Sequence, residues 1–146
     1  IDAALVKAAT PDGERVRKAH PGEQDKAQSA VTHYAVIDRA ARQVALMSLK
    51  PVTGRQHQLR AHMAILGHPI LGDEKYPSGI ELPEGIERRL HLHARRISFP
   101  HPSGEGVVDV TAPLPPHIEA AFGAFGFSPK GLDREDDAEI CETSSG

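Results

Sequence analysis

Within ten residues, Thr53-Gly54-Arg55-Gln56-His57-Gln58-Leu59-Arg60-Ala61-His62 brings together two guanidiniums, two imidazoles and two amides. A guanidinium fork pairs bidentately with a carboxylate or a phosphate and stays charged in any environment. Around it, residues 39–72 hold five Lys or Arg and no Asp or Glu, in a chain whose net charge is -3. That is a local cationic surface built against the overall balance, and it calls for an anionic partner. Arg55 and Arg60 are five apart and do not share one helix face, so they have different tasks. Arg55, near a helix start, sits where backbone amides also favour an anion. Arg60, at the edge of an apolar stripe, needs a charged partner, because a buried unpaired guanidinium is costly. With no acid in 39–72, that partner comes from elsewhere in the fold or from a part of the protein outside this chain. His57 and His62 are five apart and lack the glutamate of the i, i+4 zinc pair, so no metal site is read here.

The elements that must position these groups follow from periodicity. Thr53 and Gln56 fit a capping box, and Leu59, Met63 and Leu66 recur at i, i+4 and i+7 as one buried stripe. Gly67 and Pro69 then stop the helix, which spans 54–66. Before it, 31–37 and 43–49 alternate as a β-hairpin closed by Pro51. After it, 97–100 and 107–111 flank His101-Pro-Ser-Gly-Glu-Gly as a second hairpin. Pro115-Pro116 opens a last helix with Ile118, Ala121, Phe122 and Phe125 on one face. Residues 1–9 have helical propensity, and 10–30 read as an extended loop. The fold class is α+β, an antiparallel or mixed β-sheet with packed helices.

The 146 residues are one domain's worth, with 39% hydrophobic and 25% charged content that fits a globular chain. No apolar run is long enough to cross a bilayer, and no signal peptide opens the chain. Cys141 is the only cysteine, so a reducing cytoplasmic location is expected. Residues 131–146 carry six acids against Arg134 alone, a net of -5, whereas 1–130 have a net of +2. Residues 128–146 therefore read as an acidic, mobile tail beside a mildly basic body at 1–127. The first residue is Ile1 and not Met, as expected after removal of a leader or for a piece of a longer chain.

Residues 53–62, followed by Leu66-Gly-His-Pro-Ile-Leu-Gly-Asp-x-x-Tyr76, closely resemble the signature of the RluA-type pseudouridine synthases of ribosomal RNA and tRNA. The likeness extends to Thr32-x-Tyr34-x-Val36 and Leu49-x-Pro51 before the signature. After it come Leu92-His93-Ala94, Ile97-Ser98-Phe99-Pro100-His101-Pro102 and Ala112-Pro113, so about 1–127 is covered. Two loops depart from the pattern: Gln24-Asp25-Lys26-Ala27 replaces Gly-Lys-Pro-Ala, and Tyr76-Pro77 replaces Tyr-Gly.

The resemblance implies an isomerase that converts uridine to pseudouridine within RNA, with no metal or organic cofactor. It also implies an Asp in a His-Arg-Leu-Asp-x-x-Thr-Ser-Gly motif, followed about thirty residues later by a Tyr. That motif is not in this sequence: Leu132-Asp133-Arg134 lacks the preceding His-Arg and lies in the wrong order along the chain. The chain is thus expected to be the C-terminal portion of the catalytic domain, inactive alone, with the missing N-terminal part of the same polypeptide as its partner. By motif position the partner of the absent Asp falls on Arg60; Arg55, His57, Gln58 and His62 are expected to contact RNA. Two other readings stay open: a non-catalytic RNA-binding module of the same fold, and a histidine-rich metal hydrolase.

Overall fold

In the computed structural model, which describes residues 1–132, six strands and two helices follow one another. They are β1 (Leu5–Thr10), β2 (Gly13–Lys18), β3 (Thr32–Ala40), β4 (Val44–Pro51), α1 (Gln58–Ile65), β5 (Arg96–Pro100), β6 (Val107–Thr111) and α2 (Pro116–Phe125). A 3-10 turn at Pro129–Leu132 comes next, with the Gly131 backbone against the Ile37 side chain. The α+β expectation holds, and every ladder among the described residues is antiparallel: β1 with β2, β3 with β4, β5 with β6. The acidic residues 133–146 lie outside the described residues. Among the described residues no helix is long and apolar enough to cross a membrane.

The first hairpin corrects the expectation of a helix at 1–9 and a loop at 10–30. Leu5 pairs with Lys18 and Thr10 with Gly13, around Pro11-Asp12. Proline presets the turn backbone and Gly13 adopts φ +102°, a conformation that glycine takes without a steric penalty. Burial of Leu5, Val6 and Val16 outweighs the weak helical preference of the alanines. Beyond β2 the loop is fixed by Arg17, whose fork donates to both Glu23 oxygens at 2.7 Å. That pair, with the His20 amide, holds the Glu23 carboxyl down at about 2.

β3 and β4 run longer than expected, with a bulge between Val36 and Asp38, and Pro51 is the last residue of β4, opposite Thr32. Arg96 and Asp109 form an ion pair across β5–β6. α2 ends at Gly126 in a left-handed conformation (φ 75°) and buries His117, Ile118, Ala121 and Phe122.

Apolar packing has two centres. Leu5, Val16, Ala30 and Ala61, with Tyr76 against them, form a core between the first hairpin and α1. On the other side of α1 lies an open cleft of about 1520 Å³, lined by side chains such as Tyr34, Met47, Leu59, Met63, Phe122 and Phe125.

Candidate active site around Arg60

α1 spans Gln58–Ile65 and not 54–66, and the capping box does not form. Its N-cap is His57, in the left-handed region (φ 52°, ψ 20°) with no side-chain cap. The Thr53 hydroxyl reaches past Gln56, donating to Gln58 Oε1 at 2.6 Å while accepting the Val31 N–H at 3.0 Å. The helix closes with His68 N–H on the Met63 carbonyl at 2.9 Å, behind Gly67 at φ +87°.

The face of α1 toward the first hairpin is polar and buried. Gln58 is 3% exposed, and both ends of its amide are occupied. Oε1 accepts from Thr53 and from the Arg55 N–H (3.0 Å), and Nε2 donates to the Val31 carbonyl (2.9 Å) and Thr32 Oγ1 (3.0 Å). His62 has no exposed surface. Its Nε2 lies 3.0 Å from the Ala3 carbonyl, which can only accept, so Nε2 carries the proton and Nδ1 accepts from the Thr32 hydroxyl at 2.8 Å. The expectation that Gln58 and His62 contact RNA is therefore corrected: their polar atoms are committed to the interior, tying α1 to β3 and the chain start. Leu59 and Met63 line the cleft on the other face, while Leu66 is 37% exposed.

Arg60 projects from the side of α1. Its Nε donates to Asp73 Oδ2 at 2.8 Å and its Nη2 to Oδ1 at 2.7 Å, a bidentate pair. The expectation that the carboxylate partner of Arg60 is absent from this chain is corrected here: Asp73 is the first residue beyond the acid-free stretch 39–72. The turn through Gly67–Pro69 brings it back beside the helix. Its side chain has no exposed surface, and that of Arg60 is 19% exposed. Oδ1 also accepts the N–H groups of Lys75 (2.9 Å) and Tyr76 (3.0 Å). Burial would raise the Asp73 carboxyl, but the Arg60 hydrogen bonds and these backbone amides together hold it below its ordinary range. The Asp73 hydrogen bond in turn raises Arg60 further above its usual value.

Tyr76 completes the setting. Its ring centroid is 5.5 Å from the Arg60 guanidinium carbon, a cation–π distance. Its hydroxyl accepts the Val16 N–H at 2.8 Å and lies 3.3 Å from His57 Nδ1. Burial, then the charges of Arg60 and Lys75, lowers the His57 pKa and favours the neutral ring. Neutral His57 accepts from the tyrosine hydroxyl through Nδ1 and keeps Nε2–H as a donor. Arg55 is exposed and anchored by its Nε to the Ser29 carbonyl at 2.9 Å, which leaves its other guanidinium donors toward solvent. The structure thus brings His57 and Arg60 together and sets Arg55 at the helix approach. Among the described residues no three His, Cys, Asp or Glu side chains converge to hold a metal ion. Asp73 and Tyr76 were missed as members of this group, although both stand in the sequence signature.

Chemically, the cluster offers a fixed cation with donors to spare beside a neutral imidazole. Two of the five guanidinium N–H groups of Arg60 go to Asp73, and three remain for a second anion.

Known proteins share this sequence and fold. Residues 1–65 match the family model described as RNA pseudouridylate synthase. The dual-specificity RNA pseudouridine synthase RluA of Salmonella typhi is 50% identical over 76 residues, covering 51% of this chain and 33% of the relative. The ribosomal large subunit pseudouridine synthase C of Vibrio cholerae is 39% identical over 95 residues, covering 62% of this chain and 30% of the relative. The chain therefore spans about a third of the length of the curated relatives it matches. Among solved structures, human RNA pseudouridylate synthase domain containing 4 superposes with a TM-score of 0.64 at 29% identity, covering 86% of this chain and 55% of that one. Over the matched residues, sequence and fold are similar to those of the RNA pseudouridylate synthases, the RluA-type enzymes among them.

Proposed function

We propose that the whole protein containing these residues isomerises uridine to pseudouridine in structured RNA, with ribosomal large-subunit RNA or tRNA as the substrate. The N1–C1′ bond breaks, the base turns, and a C5–C1′ bond forms; N1 takes up a proton and the C5 hydrogen passes to solvent. In this reading residues 1–127 are the C-terminal portion of the catalytic domain. The carboxylate that attacks or deprotonates the ribose belongs to the His-Arg-Leu-Asp motif that the family resemblance implies and that these 146 residues do not contain. The chain by itself then does not turn over.

The observation that carries the reading is the Arg60 guanidinium, pinned along one edge by Asp73 and left with unused donors. Those donors are suited to hold a second carboxylate ionised and oriented, or to grip a phosphate beside an extruded uridine. Arg55 and His57 are placed to contact the RNA backbone or the displaced nucleotide. Tritium release from RNA labelled at uridine C5 tests this directly. The whole protein releases tritium, Arg60→Ala cuts the turnover of bound RNA sharply, and RNA affinity falls less. Loss of binding with undiminished turnover of bound RNA would overturn the role given to Arg60. Phosphate contacts across the cationic surface that includes Arg55 require RNA affinity to fall as salt is raised.

A further inference from the structure

We infer that Asp73 is a positioning residue for this reaction, acting through Arg60; the inference rests on the synthase reading above. Its carboxylate is built to stay still. Oδ1 accepts the Lys75 and Tyr76 amides of its own turn, the side chain has no exposed surface, and both oxygens face the guanidinium. Both oxygens are engaged and the side chain has no surface open to a bound RNA, so its effect on the reaction passes through Arg60. What it fixes is the rotamer of a long, flexible side chain. With Nε and one Nη2 hydrogen taken by Asp73, the guanidinium plane is set, and the Nη1 edge is presented in a single direction. The Tyr76 ring, 5.5 Å from the guanidinium carbon, restricts the same plane from one side. Tyr76 is itself anchored to β2 by the Val16 N–H, so the clamp is tied to the first hairpin as well as to α1.

A clamp of this kind makes a prediction that a simple buried ion pair does not. Its contribution to rate must disappear when the group it aims is changed. In the whole protein, Asp73→Asn keeps the side-chain shape but turns an N–H₂ or a weaker acceptor toward Arg60. We expect kcat for tritium release to fall about 10²-fold, the scale on which small misplacements act, with KM for RNA little changed. In an Arg60→Lys background, where the fork is already lost, Asp73→Asn should cost little more. Losses that multiply, or an unchanged kcat in Asp73→Asn, overturn the inference. A measurement on the unsubstituted protein guards against a variant that does not fold. The Arg60 Nε–H should exchange slowly with solvent, and fast exchange overturns the clamp whatever the variants do. Absence of tritium release by the unsubstituted whole protein sinks the synthase reading instead, and is told apart because no substitution is involved.

Discussion

Gly72 lies so close to the Arg89 backbone that a Cβ on it would fall 1.9 Å from the Arg89 carbonyl oxygen. The glycine also has φ +73°, and its neighbour Leu71 accepts the His91 N–H at 2.9 Å. Two chain segments cross here only because one of them has no side chain, and the crossing sets where Asp73 emerges. Gly72→Ala should lower unfolding stability by about 1–3 kcal/mol, from strain and displacement together. Urea denaturation of the chain reads the loss, and an unshifted midpoint contradicts the crossing.

Gln58→Leu removes the acceptor of the Thr53 hydroxyl and Arg55 N–H and the donor to Val31 and Thr32. Buried groups left unpaired cost about 1–3 kcal/mol, so the melting temperature should drop clearly. RNA affinity per folded molecule should not change. Weakened binding at unchanged stability would return Gln58 to the RNA-facing surface.

Acid should expose the Asp73 clamp. Its folded carboxyl titrates below the ordinary value of 3.8, so it favours the folded state above that pH. The contribution is lost as pH falls below 3.8 toward the depressed folded value. A stability profile against pH should therefore slope down in this window, and Asp73→Asn should remove part of the slope. Parallel profiles for the two proteins would show that folding does not shift the Asp73 carboxyl, contrary to the clamp.

Tyr76→Phe separates the ring from its hydroxyl. The Val16 N–H loses its acceptor and His57 Nδ1 its partner, while the ring beneath Arg60 remains. Thermal unfolding should report a loss of about 1 kcal/mol. Tritium release by the whole protein should suffer far less than in Asp73→Asn, because the guanidinium keeps its carboxylate.

The sequence announced α1, α2 and the β3–β4 and β5–β6 hairpins through apolar spacing and proline punctuation. It hid β1–β2, because alanines at 3, 4, 8 and 9 look helical until Pro11-Asp12-Gly13 is weighed as a turn. The burial of Gln58 and His62 was not legible either. Polar types are usually exposed, and only the spatial approach of Val31, Thr32 and Thr53 to Gln58, and of Thr32 and Ala3 to His62, supplies the hydrogen bonds that let them enter the interior. For Arg60, the need for an acid was readable, but its identity depended on a chain reversal. Asp73 is thirteen residues away in sequence and two hydrogen bonds away in space.

The three separate ladders carry a practical consequence. Each is only two strands wide, and β3, β5 and β6 present Tyr34, Val36, Ile97, Phe99, Val107 and Val110 with more than a third of their surface open. Unsatisfied strand borders next to greasy side chains are templates for intermolecular association. Concentrated samples of this polypeptide should therefore self-associate, and a charged substitution at Val107 or Ile97 should improve colloidal behaviour without disturbing the arginine clamp.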